Sequence, residues 1–209
     1  MKYIKPKTNC SLCNRLYSFR NNNILKYPKW FNKPVQSFGS KKSQILIVGL
    51  APGLKGANRT GRPFTGDYAG DVLYPLLLKN NLASGKFDKN GSDNLVLKNC
   101  RITNSVRCVP PKNKPTNEEI NICNAFLTSE INNLRDLKII LTLGRIAHIA
   151  VLKSLKLKNS KYTFGHDKVH KVENYIIINS YHCSKYNIFT KRLSINNFNK
   201  IIKKTKDYI

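Results

Sequence analysis

A short apolar segment that runs straight into a glycine- and proline-rich stretch constrains the fold of this chain most. Residues 44–48 read Gln-Ile-Leu-Ile-Val, and the stretch that follows extends from Gly49 to Asp67. A buried strand, a tight turn and then a helix form the unit with which α/β proteins build ligand sites at the carboxyl ends of strands. Glycines let the backbone approach a ligand closely. The segment therefore predicts an α/β fold with a ligand site after this strand.

Strand and helix patterns alternate along the rest of the chain. We predict further strands near 101–106, 137–143 and 175–180, and helices near 68–80, 116–134, 144–155 and 194–204. Thr116, with Glu119 three residues later, forms a capping box at one helix start. The alternation predicts an α/β fold, with one three-layer α/β/α domain over 1–209 around a central, mostly parallel four-stranded sheet. Residues 1–43 are expected to form a basic, turn-rich N-terminal arm.

The chain carries a large excess of positive charge. Its 209 residues include 37 Lys and Arg against 11 Asp and Glu, a formal net charge of +26. This charge favours a polyanionic partner, with nucleic acid first and an anionic membrane second. A bias of composition explains it equally well, because the basic residues are dispersed. No apolar run is long enough for a transmembrane helix, and the N-terminus lacks the apolar core of a signal peptide. We therefore expect a cytoplasmic, nucleoid-associated protein.

The cysteines suggest a metal site. Cys10 and Cys13 form a C-x-x-C pair, and Cys108 and Cys123 flank a proline-rich loop and the start of its helix. Four thiolates can hold either zinc or an iron–sulfur cluster. The spacing of the second pair is wide for a zinc ribbon, and these two cysteines could equally be small core residues. Cys100, beside a strand, is expected in the core.

Two side chains are candidates for catalysis. His182 follows the strand at 175–180, where α/β sites form, and could donate a hydrogen bond to a developing anion. A structural histidine is the alternative. Asp67 could orient or deprotonate water, or cap the helix that begins beside it, and the two roles are compatible.

Two further side chains could bind a flat ligand. Phe64 could stack on a base or pack in the core. Asn104, at the end of a strand, could pair with a base edge or satisfy backbone groups. The remaining histidines have no comparable setting, and they are His148, His166 and His170.

These motifs together resemble the uracil-DNA glycosylase superfamily, and most closely its family 5, the iron–sulfur UDGb type. The similarity covers nearly the whole chain. It is carried by Gly49–Asp67, by Arg107–Thr116 with Cys123, by Leu143–Ala147, by Ser180–Ser184 with Asn187, Thr190, Arg192 and Leu193, and by Trp30, Pro34, Val35, Phe38 and Gly39 in the arm.

The resemblance implies a monomeric, membrane-independent enzyme that flips uracil, or another deaminated base, out of DNA and hydrolyses its N-glycosidic bond, so starting base excision repair. It implies a [4Fe–4S] cluster on the cysteines, with zinc as the alternative. The implied residues are Asp67, His182 and Asn113 for catalysis, Gly49, Leu50, Ala51, Phe64 and Asn104 for the base, Arg62, Ser184, Asn187, Lys191 and Arg192 for DNA, and Cys10, Cys13, Cys108 and Cys123 for the cluster.

The chain departs from the family pattern at two positions. Cys183 stands where an apolar residue, usually proline, follows the histidine, and Lys191 replaces a glycine. Both residues are expected in a loop that presses on DNA. These substitutions are therefore expected to affect the efficiency of base flipping and the substrate preference. At Ala51 the chain follows family 5, which shares the lack of the Asp or Asn that related families have there, so handling of the water falls to Asp67 and Asn113. The rival functions are a hypoxanthine- or xanthine-preferring enzyme of the same fold and a non-catalytic, metal-stapled nucleic-acid-binding protein.

Overall fold

A five-stranded sheet lies at the centre of the protein, whose computed structural model describes residues 2–209. The strands are β1 (Ile45–Gly49), β2 (Ala83–Ser84), β3 (Val96–Leu97), β4 (Cys100–Asn104), β5 (Ile139–Leu143), β6 (Val169–Val172) and β7 (Tyr175–Ser180). The helices are α1 (Asn14–Lys26), α2 (Ala57–Thr60), α3 (Tyr68–Lys79), α4 (Asn117–Asn133), α5 (Arg145–Ser154), α6 (Lys185–Phe189) and α7 (Ile195–Asp207). Among these residues, no helix combines the length and apolarity needed to cross a membrane.

The strand order is β4-β1-β5-β7-β6. The first four strands are parallel, and they are the four that the sequence predicts. The fifth, β6, pairs antiparallel with β7 at the edge of the sheet. Its sequence, Val-His-Lys-Val, lacks the continuous apolar run of a buried parallel strand, so it gives no strand signal. The predicted mostly parallel α/β fold is confirmed, with one strand more than expected.

Helices cover both faces of the sheet and produce the three layers. In β1, Ile45 and Ile47 point into an apolar cluster shared with α3 and α7. Leu46 and Val48 point the other way, into a cluster shared with α1, α4 and α5. Side chains alternate across a strand, so a strand that is apolar throughout must be covered on both sides. Outside the central sheet, β2 and β3 form a small hairpin, in a segment for which the sequence predicts neither strand nor helix.

The N-terminal arm contains a helix that the sequence did not reveal. Residues 1–43 were expected to be turn-rich, yet α1 spans 13 of them. The helix is rich in asparagine, and its apolar pattern is weak because Leu16 is its one fully buried apolar side chain. Farther along the arm, the Val35 amide donates to the Arg107 carbonyl at 2.7 Å. Packing on the domain therefore stabilises this helix more than its own sequence does.

A buried carboxylate ties the arm to the sheet and to α4. Glu130 is fully buried and forms ion pairs with Arg101, at 2.6 Å, and with Arg107. It also accepts hydrogen bonds from the hydroxyls of Ser37, at 2.6 Å, and Thr103, at 2.9 Å. Burial alone would raise the pKa of Glu130, but the two guanidinium groups lower it to about 2.

Replacing Glu130 by glutamine is expected to lower the free energy of unfolding by about 3–5 kcal/mol, because two buried arginines lose their counter-charge. The pKa of Glu130 is depressed in the folded state, so its contribution is present above the unfolded value of about 4.3 and is lost as the pH falls towards 2. Denaturant titrations at several pH values measure this. Glu118→Gln, exposed on the same helix, is the control, and an equal effect of both variants would contradict the prediction.

Candidate active site

A cavity of about 690 Å³ lies where the parallel strands end. Its walls come from the loops after β1, β4, β5 and β7, from the start of α3 and from α6. Parallel strands present their carboxyl ends at one edge of a sheet, so residues far apart in sequence meet there. The predicted site residues that line this cavity are Leu50, Ala51, Phe64, Asp67, Asn104, Asn113, His182, Ser184, Asn187 and Arg192.

Gly49 shapes the cavity without lining it. It pairs in register with Asn104 on the neighbouring strand. A Cβ atom on Gly49 would lie 2.5 Å from Oδ1 of Asn104 and 2.7 Å from the Phe64 ring, so only glycine lets these two groups meet. Its carbonyl already accepts a hydrogen bond from the Ser105 amide at 2.9 Å. This hydrogen bond takes one of the two lone pairs of the carbonyl. Contact between the backbone of Gly49 and a base, which the family resemblance implies, stays a prediction.

Leu50 and Ala51 follow at the floor of the cavity. The Leu50 carbonyl is also engaged, because it accepts from the Val106 amide at 2.9 Å. One lone pair of this carbonyl is thus taken, and contact between Leu50 and a base stays a prediction. Ala51 is half-buried and brings no polar side chain to the cavity.

Phe64 and His182 form the central pair of the site. Their rings stack with centroids 5.7 Å apart and an interplanar angle of 22°. Phe64 has a positive φ of 55° and is held in a turn whose Pro63 carbonyl accepts from the Tyr74 hydroxyl at 2.6 Å. Phe64 both packs against the core and lines the cavity. Its place in the core is confirmed, and stacking on a base stays a prediction.

The surroundings of His182 favour its neutral imidazole. Burial lowers the pKa of its imidazole to about 4. Its main-chain carbonyl accepts from the Asn187 side chain at 2.8 Å, and Ser184 caps α6 through its hydroxyl. These contacts fix the loop after β7, so the ring offers a neutral hydrogen-bond donor at a defined position.

Asp67 combines a capping role with a place in the cavity. Its Oδ1 accepts from the Gly70 amide at 3.2 Å and so caps α3. Its Oδ2 lies against two glycines, since a Cβ atom would come within 2.4 Å of it at Gly56 and 3.0 Å at Gly53. Burial raises the pKa of Asp67, while the Gly70 and Ala69 amides oppose that rise. One oxygen is thus occupied, while the other faces the glycine turn.

Asn113 reaches the cavity from a separate loop. It ends a short 3₁₀ turn at Pro111–Asn113, in which Lys112 and Asn113 have positive φ values of 53° and 55°. Asparagine tolerates this left-handed conformation better than most residues. The exposed turn brings the Asn113 amide to the cavity rim.

Arg192 is held at the cavity edge by stacking. Its guanidinium lies 4.4 Å from the centroid of the Tyr181 ring, which in turn stacks on His166 at 4.8 Å. Lys191, next to it, is exposed and has a positive φ of 58°. Glycine adopts this conformation without strain, which explains why the family pattern has glycine there. The lysine adds strain and charge at this position.

The structure does not support Arg62 as a DNA contact. Its guanidinium forms a two-pronged ion pair with Asp93, at 2.6 and 2.7 Å, and lies over the rings of Phe38, Tyr74 and Phe87. The sequence could not show this partner because Asp93 lies 31 residues away. Arg62 therefore holds the segment that contains the β2–β3 hairpin.

Cys183 lies in the loop after β7 that was expected to press on DNA, but its thiol points into the core. Its side chain is fully buried, and its Sγ donates to the Ala69 carbonyl at 3.6 Å. Cys100 is likewise a core thiol, as predicted, and donates to the Leu82 carbonyl at 3.2 Å. Cys183 thus takes the packing role of the apolar residue it replaces.

Several aromatic residues at the cavity were missed by the sequence analysis. Tyr68, Phe164 and Tyr181 line it. Tyr181 could have been found from its place at the end of β7, whereas Phe164 lies in a loop without any motif. Two more aromatic side chains, Tyr186 and Phe189 on α6, are 71% and 67% exposed beside the cavity rim.

The four remaining cysteines meet at a second place, between the arm and α4. Cys10, Cys13, Cys108 and Cys123 line one small cavity. Among residues 2–209, no three His, Cys, Asp or Glu side chains converge on a point that a single metal ion could occupy. The structure therefore gathers the four thiols around a common space, without the geometry of a one-ion site.

Two of these sulfurs accept hydrogen bonds, unlike the core thiols. Cys108 Sγ accepts from the Arg20 guanidinium at 3.1 Å, and Cys123 Sγ accepts from the Arg107 amide at 3.3 Å. Such N–H donors surround metal-bound thiolates. Burial raises the pKa of Cys123 to about 12, so this sulfur needs a nearby positive centre to ionise. The donor set therefore suits a cationic metal centre.

Comparison with known proteins assigns the family. A family model described as the uracil DNA glycosylase superfamily matches residues 36–206. A Type-5 uracil-DNA glycosylase of Thermus thermophilus is 37% identical over 98% of this chain and 95% of that protein. The Type-5 enzyme of Pyrobaculum aerophilum is 32% identical over 97% and 90%, and that of Mycobacterium tuberculosis is 36% identical over 94% and 77%. With its fold and its strand-end cavity, this chain belongs to the uracil DNA glycosylase superfamily.

Proposed function

We propose that the protein is a uracil-DNA glycosylase, which removes uracil from DNA as the first step of base excision repair. The observation that carries this proposal is the meeting of Phe64, Asp67, Asn104 and His182 in one cavity at the strand ends. Relatives that align over nearly the whole chain are named Type-5 uracil-DNA glycosylases.

Binding would begin with the DNA backbone at the cavity rim. Lys185 and Arg192 line the rim, and Lys191 is exposed beside it. Cations there can neutralise phosphates on either side of a flipped nucleotide. The flipped base would stack on Phe64, and the Asn104 amide would contact its polar edge. Ser184 and Asn187 would hold the loop in place, through the α6 cap and the His182 carbonyl.

The reaction replaces the C1′–N bond with a C1′–O bond. The base leaves with the bonding electrons as an anion, and the sugar becomes a cation. His182 donates a hydrogen bond to the anion. Asp67, assisted by Asn113, positions a water whose oxygen bonds to C1′ while its proton passes to the carboxylate. The products are an abasic site and, after protonation, the free base.

We also propose that Cys10, Cys13, Cys108 and Cys123 hold a [4Fe–4S] cluster. The four cysteines line one small cavity and would supply the four thiolates that such a cluster needs. The cluster would act structurally by joining the arm to the loop at 108–123, beside the DNA-binding face. Zinc is the alternative, and absorbance in the visible range separates the two.

We further propose that residues 1–209 act as one monomeric domain, located in the cytoplasm and associated with the nucleoid.

Base release from labelled oligonucleotides tests the proposed function. We expect alkali-sensitive strand scission at uracil, because removal of the base leaves an abasic site. The cavity of about 690 Å³ leaves room for a purine, so hypoxanthine and xanthine are tested in parallel, opposite each normal base and in single strands. Scission at the purines alone would support the related enzyme instead. Binding without scission, by protein that retains its metal, would favour a non-catalytic nucleic-acid-binding role.

A further inference from the structure

Arg20 is a buried cation whose surroundings are unusual. It lies on α1 with 2% of its surface exposed. Its guanidinium donates to Cys108 Sγ at 3.1 Å and to the Cys10 carbonyl at 2.9 Å, and it lies 5.5 Å from the centroid of the Tyr17 ring. It therefore contacts both halves of the cysteine set, which are 98 residues apart in the chain.

In the part of the chain that the structure describes, the other buried arginines have carboxylate partners and Arg20 has none. Arg101 and Arg107 share Glu130. Among residues 2–209, no ion pair includes Arg20. An arginine stays protonated in proteins, and an uncompensated buried charge is costly. The fold therefore tolerates Arg20 best when the adjacent sulfur is anionic.

The proposed cluster would provide that negative charge. Four thiolates bring more negative charge than an oxidised iron–sulfur core neutralises, so the bound centre is a net anion. We propose, on the basis of the cluster proposed above, that Arg20 is its buried counter-charge: a positioning residue that retains the cluster and raises its reduction potential. The N–H···S hydrogen bond to Cys108 and the bond to the Cys10 carbonyl supply the geometry.

Two effects follow when Arg20 is replaced by glutamine. Reduction adds negative charge to the cluster, so removal of the guanidinium should shift the reduction potential to more negative values. Loss of an outer hydrogen-bond partner should also weaken iron binding by about 10–100-fold, which is measured as faster loss of iron to a chelator. Arg20→Lys keeps the charge and loses the two-pronged contact, so it should largely restore the potential while iron release stays faster than in the wild type.

The control is Arg15→Gln. Arg15 lies on the same helix, pairs with Glu119 at 2.7 Å, has a side chain that is 42% exposed and makes no sulfur contact. Arg15→Gln should change the reduction potential and the rate of iron release much less than Arg20→Gln does. Protein purified without oxygen is assayed for iron, acid-labile sulfide, visible absorbance and reduction potential.

The outcomes separate this inference from the proposed function. Wild-type protein without iron would overturn the proposed cluster and this inference with it, whereas uracil release is tested independently. If Arg20→Gln has the same iron content, iron release and reduction potential as the wild type, the proposed role of Arg20 is overturned, but the proposed cluster is not. If that variant fails to fold, Arg20→Lys decides, because unchanged iron release there would also overturn the role of the guanidinium.

Discussion

Replacing Asp67 by asparagine is expected to lower the turnover number for uracil release by about 10²–10⁴-fold, the usual contribution of a positioned base. Asparagine caps helices as well as aspartate does, so the Oδ1 contact with the Gly70 amide is retained. The substitution therefore removes the carboxylate chemistry without removing the cap. Single-turnover rates on a uracil oligonucleotide, measured with DNA affinity and thermal stability, separate the two roles.

The control for this variant is Asp71→Asn. Asp71 lies one helical turn farther along α3, exposed and outside the cavity. It should leave turnover unchanged. Equal turnover in the Asp67 variant and the wild type would remove Asp67 from the mechanism and leave it as a helix cap.

The pH dependence gives a further check on the role of Asp67. Burial raises the pKa of this carboxyl above its usual value, and the charged form is the one that accepts a proton. The rate should therefore fall as the pH drops through the raised pKa, so the acidic limb lies at higher pH than for an exposed aspartate. The limb should be absent from the residual activity of Asp67→Asn.

The second large effect is expected for His182→Ala. Loss of a hydrogen bond to the developing base anion should cost about 10²–10³ in the turnover number, or about 2.7–4 kcal/mol. The pKa of His182 is lowered to about 4 by burial, so the ring acts as a neutral donor, and titration of this group should leave the rate flat between pH 6 and pH 8. Single-turnover rates over this range measure both features.

The matched control is His166→Ala. His166 stacks on Tyr181 behind the cavity wall and does not line the cavity. Its loss should change the rate far less than the loss of His182. Weaker DNA binding with an unchanged chemical step in His182→Ala would show that the histidine shapes the binding surface and does not stabilise the leaving base.

The strands of the parallel sheet could be predicted because each is a short apolar run bounded by turn residues. The capping box at Thr116 and Glu119 was equally visible, and the structure confirms both of its hydrogen bonds. Strand ends identified Asn104 and His182 as candidates, since the carboxyl ends of parallel strands converge. The sequence did not predict the helix α1 or the strand β6, because each depends on contacts with the rest of the fold.

The sequence by itself determined the fold class, the position of the cavity and the residue types that reach it, because these follow from local apolar patterns and turn chemistry. Only the tertiary structure decided which polar groups are already engaged. It turned Arg62 towards Asp93, buried Cys183 in the core and set Arg20 beside a cysteine sulfur. The physical reason is that the partner of a buried polar group comes from a distant segment of the chain, so the local sequence does not predict which groups pair.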